Sequence, residues 1–279
     1  MSPTRPSISS SAQLRRAGRA RQQASDAPDP AFATTLAHGL KVMEAFRPGD
    51  DALSNGELAA RSKLSRPTVS RLTSTLVRLG YLKRDAAARY KLGTRVLGIA
   101  YPLLAGLKIR QLARPLMREF AAAAGGTVSL AMPIGLQFIY VETMRTTDAT
   151  AHVPEIGFSS ALAPTAVGRA LLSLYSETEF KAYEDEMNAT QAEQWALLRP
   201  ATLAAITDCR TRGYCVSLGE WRAEIYGVAA PLFRTADGDC LAVNCGIPSF
   251  RFSREEVEHE FGPRMLGLAQ SIRTLAGNA

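Results

Sequence analysis

Residues Leu53 to Leu92 constrain this chain most, because two helix starts, a long amphipathic run and a short basic hairpin follow one another there. Ser54 precedes Glu57 by three residues, the reciprocal capping pair that satisfies exposed amides at a helix start. Leu58 and Ala59 then point inward. Ser65 is a second N-cap, and Pro67 behind it is tolerated because a first turn has no use for its missing N–H. Val69, Leu72, Leu76 and Leu79 recur at helical spacing and define the buried face. Arg66, Thr68, Ser70, Arg71, Ser74 and Arg78 occupy the other face, with no acidic residue between Ser65 and Arg84. Gly80 is the expected helix stop. Lys83, Arg84, Arg89 and Lys91 then flank a turn at Asp85 to Ala88. This order of parts is that of a winged helix-turn-helix. Ser65, Arg66, Thr68, Ser70, Arg71 and Ser74 are its expected DNA contacts from the helix, and Arg89 and Lys91 those from the wing. The bland alternative is an amphipathic helix with a solvated charged face.

Charge distribution bears on that choice. Residues 1–92 hold 16 Lys and Arg against 7 Asp and Glu, whereas residues 93–279 hold 17 against 19, so the net charge of +7 belongs to the first third. A basic module on a near-neutral body is the footprint of phosphate binding, with a steep salt dependence. Residues 1–30 are rich in Ser, Pro, Ala and Arg and lack an apolar core, which predicts a disordered basic arm rather than a signal peptide. Arg5, Arg15, Arg16, Arg19 and Arg21 give that arm a loose phosphate contact or a solvated tail. No apolar run approaches the ~18 residues of a membrane span. Cys209, Cys215, Cys240 and Cys245 read as reduced thiols of a cytoplasmic protein. Their spacings are looser than those of structural zinc sites, and Cys240 and Cys245 fall on opposite faces of one strand. The histidines are His38, His152 and His259, and no nucleophile elbow, phosphate-binding loop or paired-histidine motif occurs. The expectation is therefore no enzyme, no cofactor and no metal. Two other classes stay open: a sequence-neutral nucleic-acid binder, and a DNA-binding module fused to an enzyme using Cys215 or Cys245.

Elsewhere the pattern alternates between periods. Leu36, Leu40, Met43 and Phe46 make a first helix, and LGTRVLGIAYPLLAG a connecting helix that needs a partner. Residues 110–124 form another, stopped at Gly125-Gly126. VSLAM and FIYVETM, separated by Pro133-Ile134-Gly135, predict a hairpin. Helices are expected at about 165–175, 177–189 and 200–212, strands at GVAAPLF and CLAVNCGI, and a last helix from Ser253 to Leu275. The mixed order predicts an α+β domain around an antiparallel sheet.

The segments SRPTVSRLTSTLVRLGYL, ALAPTAVGRALL, RGYCVSLGE and GVAAPLF, in this order, resemble those of the IclR family of bacterial transcriptional regulators, along nearly the whole chain after residue 30. The resemblance implies an N-terminal winged helix-turn-helix joined by a linker helix, used in dimerisation, to a GAF-like α+β effector-binding domain. Domain bounds follow: a disordered arm at 1–30, the DNA-binding domain at 31–92, the linker helix at 93–109 and the effector-binding domain at 110–279. A homodimer or dimer of dimers on a partly palindromic double-stranded operator is implied, with half-sites about 34 Å apart. Carried over by motif, a small-molecule effector, by family habit an organic or aromatic acid, would meet Leu162, Ala166 and Val167 on an apolar wall. Ser217, Ile225 and Gly227 would lie on the RGYCVSLGE loop side, and Asn244 and Gly246 on the strand side. Thr165, Ser217 and Asn244 are the expected hydrogen-bonding groups; Arg145, Arg169 and Arg222 are candidate charge partners for the acid, but a helix-surface arginine is more often solvated, and they are left out of the expected site. TAVGRALL also fits close helix packing alone. Some members carry an acidic residue in place of Ser217 and a serine in place of Asn244, so no particular ligand transfers.

Overall fold

A computed structural model describes residues 31–145 and 154–277. The basic arm at 1–30 and His152 lie outside the described residues. The chain divides into two compact units between Pro102 and Leu103.

In the first unit, α1 (Thr34–Glu44), α2 (Asn55–Ser62) and α3 (Arg66–Arg78) enclose a small core with the hairpin β1 (Leu82–Arg84) and β2 (Tyr90–Leu92). The Ser54 hydroxyl accepts the Glu57 amide, the Glu57 carboxylate accepts the Ser54 amide, and Lys63 ends α2 in the left-handed region. Ser65 caps α3 by accepting the Thr68 amide. Leu53 exchanges two backbone hydrogen bonds with Tyr90, which ties the wing to the segment before α2. Gly93 is required by close approach, since a Cβ there would lie 2.2 Å from the Gly80 carbonyl oxygen.

Three expected core positions are exposed: Leu36, Leu40 and Leu79. Val42 and Ala45 anchor the last turns of α1 in the core, and its first turns extend beyond it. Leu79 caps α3 and no longer follows its apolar face. The fully buried Thr73 takes an interior place instead, its hydroxyl donating to the Val69 carbonyl at 2.9 Å. The connecting helix α4 (Arg95–Gly106) buries none of its residues, and Leu97, Ile99 and Tyr101 stand in solvent.

The second unit is a six-stranded antiparallel sheet with helices on both faces. Its strands are β3 (Thr127–Ile134), β4 (Gln137–Arg145), β5 (Ser159–Ala161), β6 (Cys215–Arg222), β7 (Ile225–Arg234) and β8 (Cys240–Pro248), in the order β5-β4-β3-β8-β7-β6. On one face pack α5 (Ile109–Ala124) and the C-terminal helix, and on the other α6 (Ala166–Leu172) and α7 (Glu177–Thr211). Central strand β8 alternates between them: Leu241, Val243, Cys245 and Ile247 join the first core, Cys240 and Ala242 the second. Cys240 and Cys245 thus lie on opposite faces, as the odd spacing requires.

Pro133 and Ile134 belong to β3, which shortens the expected hairpin loop. Pro133 is tolerated because β3 pairs with β8 only over Thr127 to Ala131, so its missing N–H falls beyond that ladder. Of the segment RGYCVSLGE, expected as a loop, the part from Cys215 onward forms edge strand β6. The two helices expected at 177–189 and 200–212 meet at Gln191, the single non-helical residue between them. Residues 192–199 are helical, and Trp195 fixes them by inserting into the core against Tyr183, ring centroids 5.6 Å apart. The C-terminal helix starts at Arg254 behind a Ser253–Glu256 capping box and carries a π turn at Val257–Phe261 before α8 (Gly262–Gly277). Gly262 lies where a Cβ would strike the Tyr214 ring.

Candidate functional site

The outward face of α3 presents Arg66, Ser70, Arg71 and Ser74 to solvent. Ser65 and Thr68 lie at its start with their hydroxyls 2.8 Å apart, so part of their capacity is used in capping. On the wing, Lys83, Arg84 and Lys91 project outward. Arg89 is turned back, donating to the Ala52 carbonyl and pairing with Glu57 at 3.6 Å. It fastens the wing to α2.

A cavity of about 960 Å³ opens above the sheet of the second unit, on the α6 face. Its floor follows from register. Ser217, Gly227, Gly246 and Thr127 stand in one row across β6, β7, β8 and β3, and Ala229, Asn244 and Ser129 in the next row. Two neighbouring glycines leave the volume that side chains would fill; a Cβ on Gly227 would already press on the Ala166 methyl at 3.2 Å. Phe138 and Tyr140, two apart on β4, form an aromatic wall with Phe158 and Trp221, neighbouring centroids separated by 5.0 to 6.3 Å.

Of the effector residues expected from the sequence, Ala166, Val167, Ser217, Ile225, Gly227, Asn244 and Gly246 line this cavity. Leu162 does not. It is fully buried behind α6, packed so closely that a Cβ on Gly168 would overlap its backbone. Thr165 reaches the lining, but its hydroxyl accepts the Gly168 amide and lies 3.2 Å from the Ala161 and Leu162 carbonyls, so capping absorbs it. The Ser217 hydroxyl donates to Glu220 at 2.6 Å. Asn244 donates from Nδ2 to the Tyr140 hydroxyl at 3.1 Å, and its buried Oδ1 has no protein partner. Burial pushes the Tyr140 phenol well above its usual range despite that hydrogen bond, so it stays protonated and keeps a proton to donate.

Sequence reasoning missed Phe138, Tyr140, Phe158 and Trp221; the two-residue spacing in FIYVETM was the available signal for the first pair. It also left out two arginines that it had weighed as charge partners of the acid. Arg222 lines the cavity mouth, stacked on Trp221 at 4.6 Å. Arg169 is only 1% exposed, its Nε donating to the Ala163 carbonyl at 2.8 Å and its Nη1 pairing with Glu220 at 3.3 Å. Arg145 is exposed at the end of β4.

The thiols suit packing better than attack. Contact with Cys209, then burial, pushes the Cys215 thiol up, and burial does the same to Cys245. Among the described residues no three His, Cys, Asp or Glu side chains converge on a possible metal position, and no single helix is long and apolar enough to cross a membrane.

Comparison with known proteins covers both units. The family described as "IclR helix-turn-helix domain" matches residues 35–86, and "Bacterial transcriptional regulator IclR C-terminal" matches residues 102–274. A crystal structure of an IclR family transcriptional regulator from Brucella abortus superimposes with a TM-score of 0.81 at 37% identity, covering 90% of this chain and 95% of that one. The regulator KipR of Bacillus subtilis is 30% identical over 65% of this chain and 73% of its own length. The Pca regulon regulatory protein of Pseudomonas putida is 26% identical over 88% of this chain and 84% of its own.

Proposed function

We infer that this chain, which belongs to the IclR family of bacterial transcriptional regulators, reads an operator through α3 and is switched by a small aromatic acid held in the cavity above its sheet. DNA binding through a helix-turn-helix is the family's activity. The finer assignment is ours: Arg66 and Arg71 read bases or grip phosphates, Ser70 and Ser74 add contacts, and Lys91 holds the backbone beside the groove. Residues 31–92 form the reading head, 93–109 the linker, and 110–279 the sensor. The working form is a cytoplasmic homodimer or dimer of dimers, because two recognition helices match a partly palindromic site.

The observation that carries the sensor reading is the cavity itself. It has a glycine floor, an aromatic wall suited to a ring, and two polar residues in its lining, Asn244 and Tyr140, joined by one hydrogen bond that leaves the Tyr140 proton to donate. An apolar site with a few placed polar groups is the usual form of a small-molecule pocket. Binding would switch operator affinity only if the ligand prefers one of two arrangements of the reading heads.

Fluorescence anisotropy on duplex DNA from beside its own gene, with random duplex as competitor, tests the first half. Binding should resist competitor in the intact chain and be lost in Arg66→Ala/Arg71→Ala. Binding that random duplex removes, unchanged in that variant, would reduce the module to a basic surface. Repeating the titration with a panel of aromatic carboxylic acids tests the second half, and operator affinity indifferent to every acid, with no thermal shift, defeats it.

A further inference from the structure

Arg169, Glu220 and Ser217 form a chain of charge behind the cavity wall that no expected contact accounts for. The Arg169 guanidinium is buried, yet Nη2 has no partner and Nη1 meets Glu220 at a long 3.3 Å. A buried guanidinium normally engages a carboxylate through both arms of its fork, and leaving one arm empty costs desolvation without return. Glu220 is the less fixed partner, with 39% of its side chain exposed. Its second oxygen takes the 2.6 Å hydrogen bond from Ser217, whose hydroxyl lines the cavity and also lies 3.2 Å from the Pro164 carbonyl. The Glu220 carboxylate therefore bridges Ser217, which lines the cavity, to Arg169, which lies behind the lining.

The backbone that carries Glu220 is built to yield. Register between β6 and β7 jumps from Leu218↔Tyr226 to Arg222↔Ile225, which leaves Gly219, Glu220 and Trp221 outside the ladder on an edge strand. Gly219 has a φ of +100°, a conformation side chains rarely adopt. Moving this bulge breaks no strand pairing. The same three residues bring Trp221 to the aromatic wall.

We propose that Glu220 is a tethered competitor for the effector, holding on Arg169 and Ser217 the place that the effector's carboxylate takes when it binds. The exchange leaves one carboxylate on Arg169 before and after, while Glu220 passes to water and the bulge is released. Burial opposes the charge on Glu220, but Ser217 and Arg169 outweigh it and hold its carboxyl below the usual range, so at neutral pH it has the effector's own head-group chemistry. A tethered group competes at an effective concentration on the order of mM, which sets the threshold for free acid. The proposal rests on the reading that the cavity binds an aromatic acid, and it adds the anchor, the internal competitor and the segment that moves.

The test is a titration of benzoate and its neutral counterpart benzamide into the full chain, followed by tryptophan fluorescence and thermal midpoint, for the wild type, Glu220→Gln and Glu220→Asp. Neutralising the competitor should tighten benzoate by about ten-fold and leave benzamide unchanged. Glu220→Asp keeps the charge but shortens its reach, and should fall between, which preserves the test if Glu220→Gln folds poorly. Benzoate bound equally by all three chains would make Glu220 a structural counter-ion and overturn the proposal while leaving the cavity reading intact. If neither compound binds any of the chains, both fail.

Discussion

Tyr140 and Asn244 hold each other across the cavity wall by one buried hydrogen bond, so the loss of either partner strands the other. Tyr140→Phe leaves Asn244 with both ends unpaired and should cost about 1–3 kcal/mol, seen as a lower midpoint in thermal or urea unfolding. Adding Asn244→Leu should recover much of that loss, because removing both polar groups is far cheaper than removing one. No recovery would mean that the pair contributes packing, not hydrogen bonding. Local chemistry was readable at this scale wherever it was contained within a few residues: the caps at Ser54 and Ser65 form as their spacings require. Where partners come from distant segments it was not. Leu162 looked like pocket wall because it adjoins Ala166, but one turn separates a residue that faces the cavity from one locked behind the helix. Arg169 looked solvated because helix arginines usually are; its counter-ion lies 51 residues away.

At the scale of elements, the start of α7 is tied to the end of β7 by two hydrogen bonds of 2.6 and 2.7 Å from Arg234 to Glu179. Arg234, then Ser176, holds the Glu179 carboxyl down at about 2, against an ordinary value of 4.5. A carboxylate depressed in the folded state adds stability above its unfolded value, and loses it as pH falls from about 4.5 through about 2. Both side chains are partly exposed, so the effect is screened. Glu179→Gln should lower the thermal midpoint by about 1–3 °C at pH 7 and by nothing measurable near pH 2. An equal decrement at both pH values would assign the loss to the helix cap instead. Element type followed from periodicity through most of the chain, but edges did not. A strand through Pro133, and helix in place of a loop at 192–199, depend on what lies alongside: the end of the β8 ladder in one case, the burial of Trp195 in the other.

For the whole molecule, charge segregation makes a prediction that no single residue carries. Because the net excess of basic residues lies within residues 1–92, operator affinity should fall on the order of a thousand-fold between 50 and 200 mM salt, a slope that reports several phosphate contacts. A flat response in the same anisotropy assay would remove the basic module from the binding surface. That module was legible from sequence because its signals are local and repeated: caps, helical spacing, a one-signed face and a basic turn within one short stretch. The α+β class of the second unit was legible too, from the order of its strand and helix patterns. What tertiary structure alone decided is the cavity. Its glycine row exists only because four strands from separate parts of the chain pair in one register, its aromatic wall because Phe158, just ahead of β5, joins the rings of β4 to Trp221 in the bulge of β6, and its buried charge because Glu220 folds back onto Arg169. Composition and periodicity record what each residue prefers, whereas a cavity is set by which preferences meet in space.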